Sequence, residues 1–160
     1  MKEINVLRNL LLDELGVGVR TTVGLLQKVR EEDWEYRPRE NMRTLRELAH
    51  HLVMLPETDV AIAQEQSEQE VHQLESRELP NAEAMCDTMK QGYEKLKDHY
   101  ISMSDEDFLE KGTSPFYLDN GSIQAKWLTE TVTHTFHHRA QLFNYMKQLG
   151  YAINMFDLYE

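Results

Sequence analysis

Apolar residues recur at steps of three and four over four long stretches, and this spacing commits the chain to helices packed side by side. In residues 3–30, Ile4, Leu7, Leu11, Leu15, Val19, Val23 and Leu26 share one helical face. A second stripe, Leu48, Leu52, Leu55 and Ile62, follows Thr44. Thr44 and Glu47 have the T-x-x-E spacing of a capping box, which satisfies backbone donors at a helix start. A third stripe, Met85, Met89, Tyr93, Leu96 and Tyr100, begins after Pro80 with Asn81 at the cap. The fourth helix covers residues 123–149 and stops at Gly150. Four long helices with apolar sides facing each other predict an all-α four-helix bundle. The 160 residues suit a single domain, residues 1–160.

The interruptions carry their own information. Pro56 lies inside the second stripe and cannot donate to the Leu52 carbonyl, so a kink or break is expected near it. Residues 33–42 read as a connection, and the acidic residues 65–78 as a solvated face. Ser104 is placed to cap a short turn of helix through Phe108. The run SPFYLDNGSIQ predicts a small irregular or hairpin segment, turning at Asn120–Gly121, just before the last helix. The longer connections, residues 31–43 and 111–122, leave room for crossovers.

Charge and cysteine usage exclude several functions. The net charge of −11 opposes a phosphate backbone, so no nucleic-acid partner is expected. One cysteine, Cys86, excludes a disulfide framework and a cysteine-rich metal site. No signal peptide and no apolar run near the ~20 residues of a membrane span is visible, so a cytoplasmic, membrane-free protein is expected.

The chemistry is carried by histidines. There are seven: His50, His51, His72, His99, His134, His137 and His138. Positions four apart lie on one helical face, so His134 and His138 project together. His51 shares the core stripe of Leu48, Leu55 and Ile62, while His50 is turned about 100° away. His137 lies roughly 60° to the other side of His134 and points outward. One inward histidine on one helix and two on another can surround a single point. Three neutral imidazoles are a common way to hold a divalent ion with coordination positions left open. Without an ion or partners, burying that many ring nitrogens is costly.

The surroundings offer fewer signals. Gln141 follows His138 by one turn, and a buried bond between helices is its preferred reading, with a ligand contact as the alternative. Trp127 and Tyr145 read as core aromatics that could also wall a pocket. Arg139 is expected to pair with a carboxylate on another helix, and Cys86 to be inert. No Asp or Glu shows a general-base signature, and H-E-x-x-H is absent. The last helix carries a second stripe, Leu128, Val132, Phe136, Phe143 and Met146, so it is central to the bundle or part of a subunit interface.

The segment TVTHTFHHRAQLFNYMKQLGYAINMFDLY, and within it H-x-x-x-H-R-x-Q, resembles the last helix and tail of the DinB/YfiT-like family of metalloenzymes. LRELAHHL resembles that family's second helix, and VREEDWEYRPRENMRT before it is similar in layout. The resemblance covers nearly the whole chain. It implies an up-down-down-up bundle, often a homodimer, with metal ligands at His51, His134 and His138. The implied cofactor is a divalent metal ion, zinc or nickel first, with iron, manganese or cobalt as further candidates. Relatives imply a thiol S-transferase of the bacillithiol type, with a small-molecule thiol and an electrophile as partners. A bound metal lowers the pKa of a thiol and makes it a better nucleophile. A non-catalytic metal-binding scaffold and a metal-dependent hydrolase are the alternative expectations.

Overall fold

The computed structural model describes residues 2–159. Among these residues six α-helices alternate with short connections: α1 (Lys2–Leu26), α2 (Leu45–Ala63), α3 (Glu68–Glu75), α4 (Ala82–Ser102), α5 (Asp105–Glu110) and α6 (Gln124–Gln148). A two-residue pair of strands, β1 (Gly112–Thr113) and β2 (Ser122–Ile123), precedes α6. The strands are antiparallel, with Gly112 opposite Ile123.

The helix starts follow local chemistry. The Thr44 hydroxyl accepts from the Glu47 backbone N–H, and the Glu47 carboxylate accepts from the Thr44 N–H at 2.7 Å. The Asn81 side chain accepts from the Ala84 N–H, and Ser104 caps α5. At the far end of α6, Gly150 takes a left-handed φ of +82°, which a glycine adopts without steric cost. At the hairpin turn, a Cβ on Gly121 would stand 2.5 Å from the Thr113 carbonyl oxygen, so only glycine fits.

Four expectations need correction. The first helix ends at Leu26 rather than Arg30, and a short 3-10 turn, Glu31–Asp33, leads to the buried Trp34. Tyr36 O accepts from Leu45 N and Trp34 O from Arg46 N, so this connection is pinned to the start of α2. Leu7 is 49% exposed, because the packed face at this end of α1 runs through Ile4, Arg8 and Leu12 instead. The acidic stretch is only partly a solvated face. Within it α3 forms behind a Ser67–Glu70 capping box and buries Val71 against Ala61 and Ile62. Pro56 does not break α2, which continues to Ala63.

Contacts along the helices fix their directions. Arg8 donates to the Met103 carbonyl, while Cys86 lies against the Val23 carbonyl, so α1 and α4 run antiparallel. Gly18 faces Thr135 and Arg139 bonds Thr21, so α1 and α6 run parallel. Gly92 meets Glu57 and His99 meets Gln64, which makes α2 and α4 parallel. His51 meets His138 and Ala63 meets Gln124, so α2 and α6 are antiparallel. The result is an up-down-down-up bundle of α1, α2, α4 and α6. Its core includes Leu15, Leu26, Leu48, Leu52, Met85, Met89, Leu96, Leu128 and Leu142. Helix α6 packs against both α1 and α2, with Leu128, Leu142 and Met146 buried and Val132, Phe136 and Phe143 partly exposed.

Candidate metal centre

The packing of α2 aims His51 inward. Leu48, Leu52 and Leu55 are buried around it, and the same face that sinks the leucines carries the imidazole toward α6. On α6, His134 and His138 stand one turn apart, between the buried Thr131 and Leu142. The antiparallel contact of α2 with α6 brings all three together. The His51 and His138 Nε2 atoms are 3.1 Å apart. Ring centroids are separated by 5.5 Å (His51–His134), 4.5 Å (His51–His138) and 4.8 Å (His134–His138). One nitrogen from each ring lies within 4.8 Å of the others.

That donor set fits a divalent ion, which binds imidazole nitrogen at roughly 2.0–2.1 Å. Protonation does not block it. Burial, with His138, Arg43 and His134 nearby, pushes His51 down to about 4. Burial likewise lowers His134 and His138 below the ordinary histidine value. All three are therefore neutral near pH 7 and present lone pairs. Gln141 orients one of them. With its amide turned this way, Gln141 Oε1 accepts from His138 Nδ1 at 2.8 Å, which leaves Nε2 of His138 facing His51 as a free acceptor. The Gln141 amide group also donates to His137 Nε2 at 3.2 Å. Gln141 thus serves the histidines of its own helix and is not the bond between helices that sequence reasoning preferred.

The remaining histidines lie elsewhere. His50 bonds the Arg77 carbonyl at 2.8 Å, His99 sits near Gln124, and His72 stacks edge-on with Phe116. His137 is exposed as expected, yet it lines the cavity beside His134. Arg139 is buried without the expected carboxylate: it donates to the Thr21 hydroxyl at 2.8 Å and the Leu158 carbonyl at 2.9 Å. It reaches α1 and the C-terminal tail, where a hydroxyl and a carbonyl take its hydrogen bonds and the charge of Glu14 is felt without an ion pair among the described residues. Cys86 is buried, and burial raises its thiol pKa, which keeps it protonated and inert. Tyr145 is core, donating to the Arg43 carbonyl at 3.0 Å, whereas Trp127 forms part of a cavity wall.

That cavity, of about 540 Å³, opens beside the histidines and is lined by both His51 and His134. It also holds a carboxylate that the sequence reading missed. Asp59 lies on the cavity wall with Glu75 and Glu130. Burial, then the charges of Glu130 and Glu75, push Asp59 up to about 7 against the opposing hydrogen bond from Thr131. Its signal was present in the stripe: Asp59 is four residues after Leu55 and three before Ile62, on the face that carries His51.

An up-down-down-up helical bundle with three inward histidines, two on its last long helix and one on α2, defines a class of protein with a candidate metal centre at the wall of an open cavity. The model of the DinB family matches residues 8–160, and the chain belongs to that family. It is similar to a solved DinB-family protein from Exiguobacterium sibiricum, with 31% identity and a TM-score of 0.82, covering 96% of this chain and 97% of that one. DinB-like proteins from Bacillus subtilis (17% identity, TM-score 0.69, 89% and 94% covered) and Bacillus cereus (17%, 0.72, 90% and 93%) share the fold. No curated protein matches the chain.

Proposed function

We propose that the chain is a metal-dependent enzyme in which a divalent ion, held by His51, His134 and His138, activates a small-molecule thiol for transfer to an electrophile. The observation that carries this reading is the open cavity lined by two of the three histidines. A purely structural ion needs no such access, which disfavours the scaffold reading. The ion, when bound, supplies Lewis acidity that lowers the pKa of a thiol docked beside it. The chain's own residues hold the donors neutral, fix the His138 tautomer through Gln141 and wall the reacting space with Trp127, Leu55 and Ile62. In the reaction the thiol S–H loses its proton to solvent or buffer base. A sulfur–carbon bond then forms as the bond from carbon to the leaving group breaks.

The test is conjugation of bacillithiol to 1-chloro-2,4-dinitrobenzene by zinc- or nickel-loaded protein. The reading expects turnover above the uncatalysed rate, lost in His134→Ala. Background rates with bacillithiol, cysteine and glutathione alike, under every metal of the zinc, nickel, iron, manganese and cobalt set, would sink it.

A further inference from the structure

Beyond the histidines, the same cavity has a chemically distinct far end. Because α2 and α6 are antiparallel, the residues of both helices that lead away from the cluster stay level with each other. On α2, Asp59 stands eight residues past His51, an axial rise of about 12 Å. On α6, Glu130 and Trp127 stand one and two turns before His134. Glu75 of α3 and Tyr117 of the hairpin loop close the same end.

This end is negative and aromatic. Three carboxylates line it, and no Lys or Arg is among the described lining residues. Lys126 pairs with Glu130 at 3.2 Å along the exposed side of α6, while Asp59 and Glu75 have no ion pair among the described residues. Thr58, only 5% exposed, also lines the cavity, and its hydroxyl has no hydrogen-bond partner among the described residues. A buried hydroxyl without a partner marks a place where a ligand or water completes the bonding. The Trp127 indole N–H is engaged with the Thr113 carbonyl at 3.2 Å, which fixes the ring that contributes to the wall. Carboxylates beside indole and phenol rings are the setting in which proteins recognise ammonium groups. The crowding of Asp59 by Glu75 and Glu130 is likewise a charge arrangement that a bound cation relieves.

We propose that the Asp59, Glu75 and Glu130 end of the cavity, with Trp127 and Tyr117, is a subsite for the primary ammonium group of a ligand whose other end reaches the three histidines. It deepens the thiol-transfer reading and rests on it for the identity of the reacting end: the ligand is then an amine-bearing thiol or an amine-bearing electrophile. Neutral and anionic ligands of the same length lack the partner for these carboxylates.

The subsite is tested without metal or thiol, so its failure is separable from failure of the transfer chemistry. The metal-free protein is titrated at pH 8 with 6-aminohexan-1-ol and with hexane-1,6-diol, following the assigned Trp127 indole N–H resonance. The amine is expected to bind at least tenfold more tightly than the diol. Asp59→Asn should reduce that preference to less than threefold, and Glu130→Gln should weaken it in the same direction. Equal affinities for the two probes, or a preference that survives both substitutions, would overturn the proposal.

Discussion

At the residue scale, the site depends on atoms that orient the ligands as much as on the ligands themselves. Gln141 holds His138 through a 2.8 Å bond to Nδ1. Gln141→Ala should lower zinc affinity by about 10- to 100-fold, the usual loss when such an orienting partner is removed. Competition with a chromogenic chelator reads this directly, and an unchanged affinity would refute the orienting role. Asp59 gives a pH prediction with a definite sign. Its pKa rises from the ordinary 3.8 to about 7 on folding, so the native state binds its proton more tightly than the unfolded chain. Ionisation therefore costs native stability as pH rises from 3.8 towards 7, and the cost is complete above that. Asp59→Asn should raise the melting temperature at pH 8, on a scale of roughly 2–4 °C per kcal/mol for a domain this size, and change it little at pH 4. Calorimetry showing the same difference at both values would contradict it. The three histidines were legible in the sequence because facing depends only on helical geometry. Asp59 was not, although it sits on the same stripe. A carboxylate among leucines declares nothing until a cavity and two further acids from α3 and α6 surround it. Arg139 shows the same limit: its inward direction was not visible, and its partners come from α1 and the tail.

At the element scale, signals confined to a few neighbouring residues were readable. The Thr44–Glu47 box and the Asn81 and Ser104 caps stand where spacing puts them. The hairpin before α6 also forms, but its strands Gly112–Thr113 and Ser122–Ile123 are joined by residues 114–121, so Asn120–Gly121 ends the loop rather than making the turn. Thr44→Ala removes the hydroxyl that accepts from the Glu47 backbone N–H while the bond from the residue 44 N–H to the Glu47 carboxylate stays, and should destabilise the protein by about 1 kcal/mol. A urea titration checks this, and a loss near zero would show that tertiary packing alone holds the start of α2. Gly121→Ala is expected to be worse tolerated, because the added Cβ meets backbone rather than a mobile side chain. By contrast, α3 escaped the reading. It has eight residues, mostly polar, and buries only Val71 among its residues. Its helicity is set by a cap and by docking on α2, and only the cap is written locally. The end of α1 was overextended: the helix stops at Leu26, and the Lys28 and Val29 N–H groups bond three residues back, to Leu25 and Leu26, in a tighter turn.

At the scale of the whole molecule, the periodicity announced four helices but not their directions, which the family resemblance supplied and the contacts between helices bear out. Up-down-down-up order matters for function because it makes α2 and α6 antiparallel neighbours, and that is what joins a histidine from each end of the sequence. On α6, Leu128 and Met146 are buried in the bundle, whereas Val132, Phe136 and Phe143 of the same stripe stay partly exposed. The homodimer expectation, drawn from that stripe and from the family likeness, is decided by sedimentation equilibrium: 18.9 kDa or twice that mass. An ion bridging α2 and α6 also ties the bundle together, so at a free concentration 100 times its Kd it should stabilise the fold by about 2.7 kcal/mol. The most direct test of the central claim is the metal content of the purified protein by mass spectrometry, beside His51→Ala and His138→Ala variants shown by circular dichroism to keep their helices. The account predicts close to one divalent ion per chain in the parent and little in either variant. Equal metal content in all three proteins would contradict it.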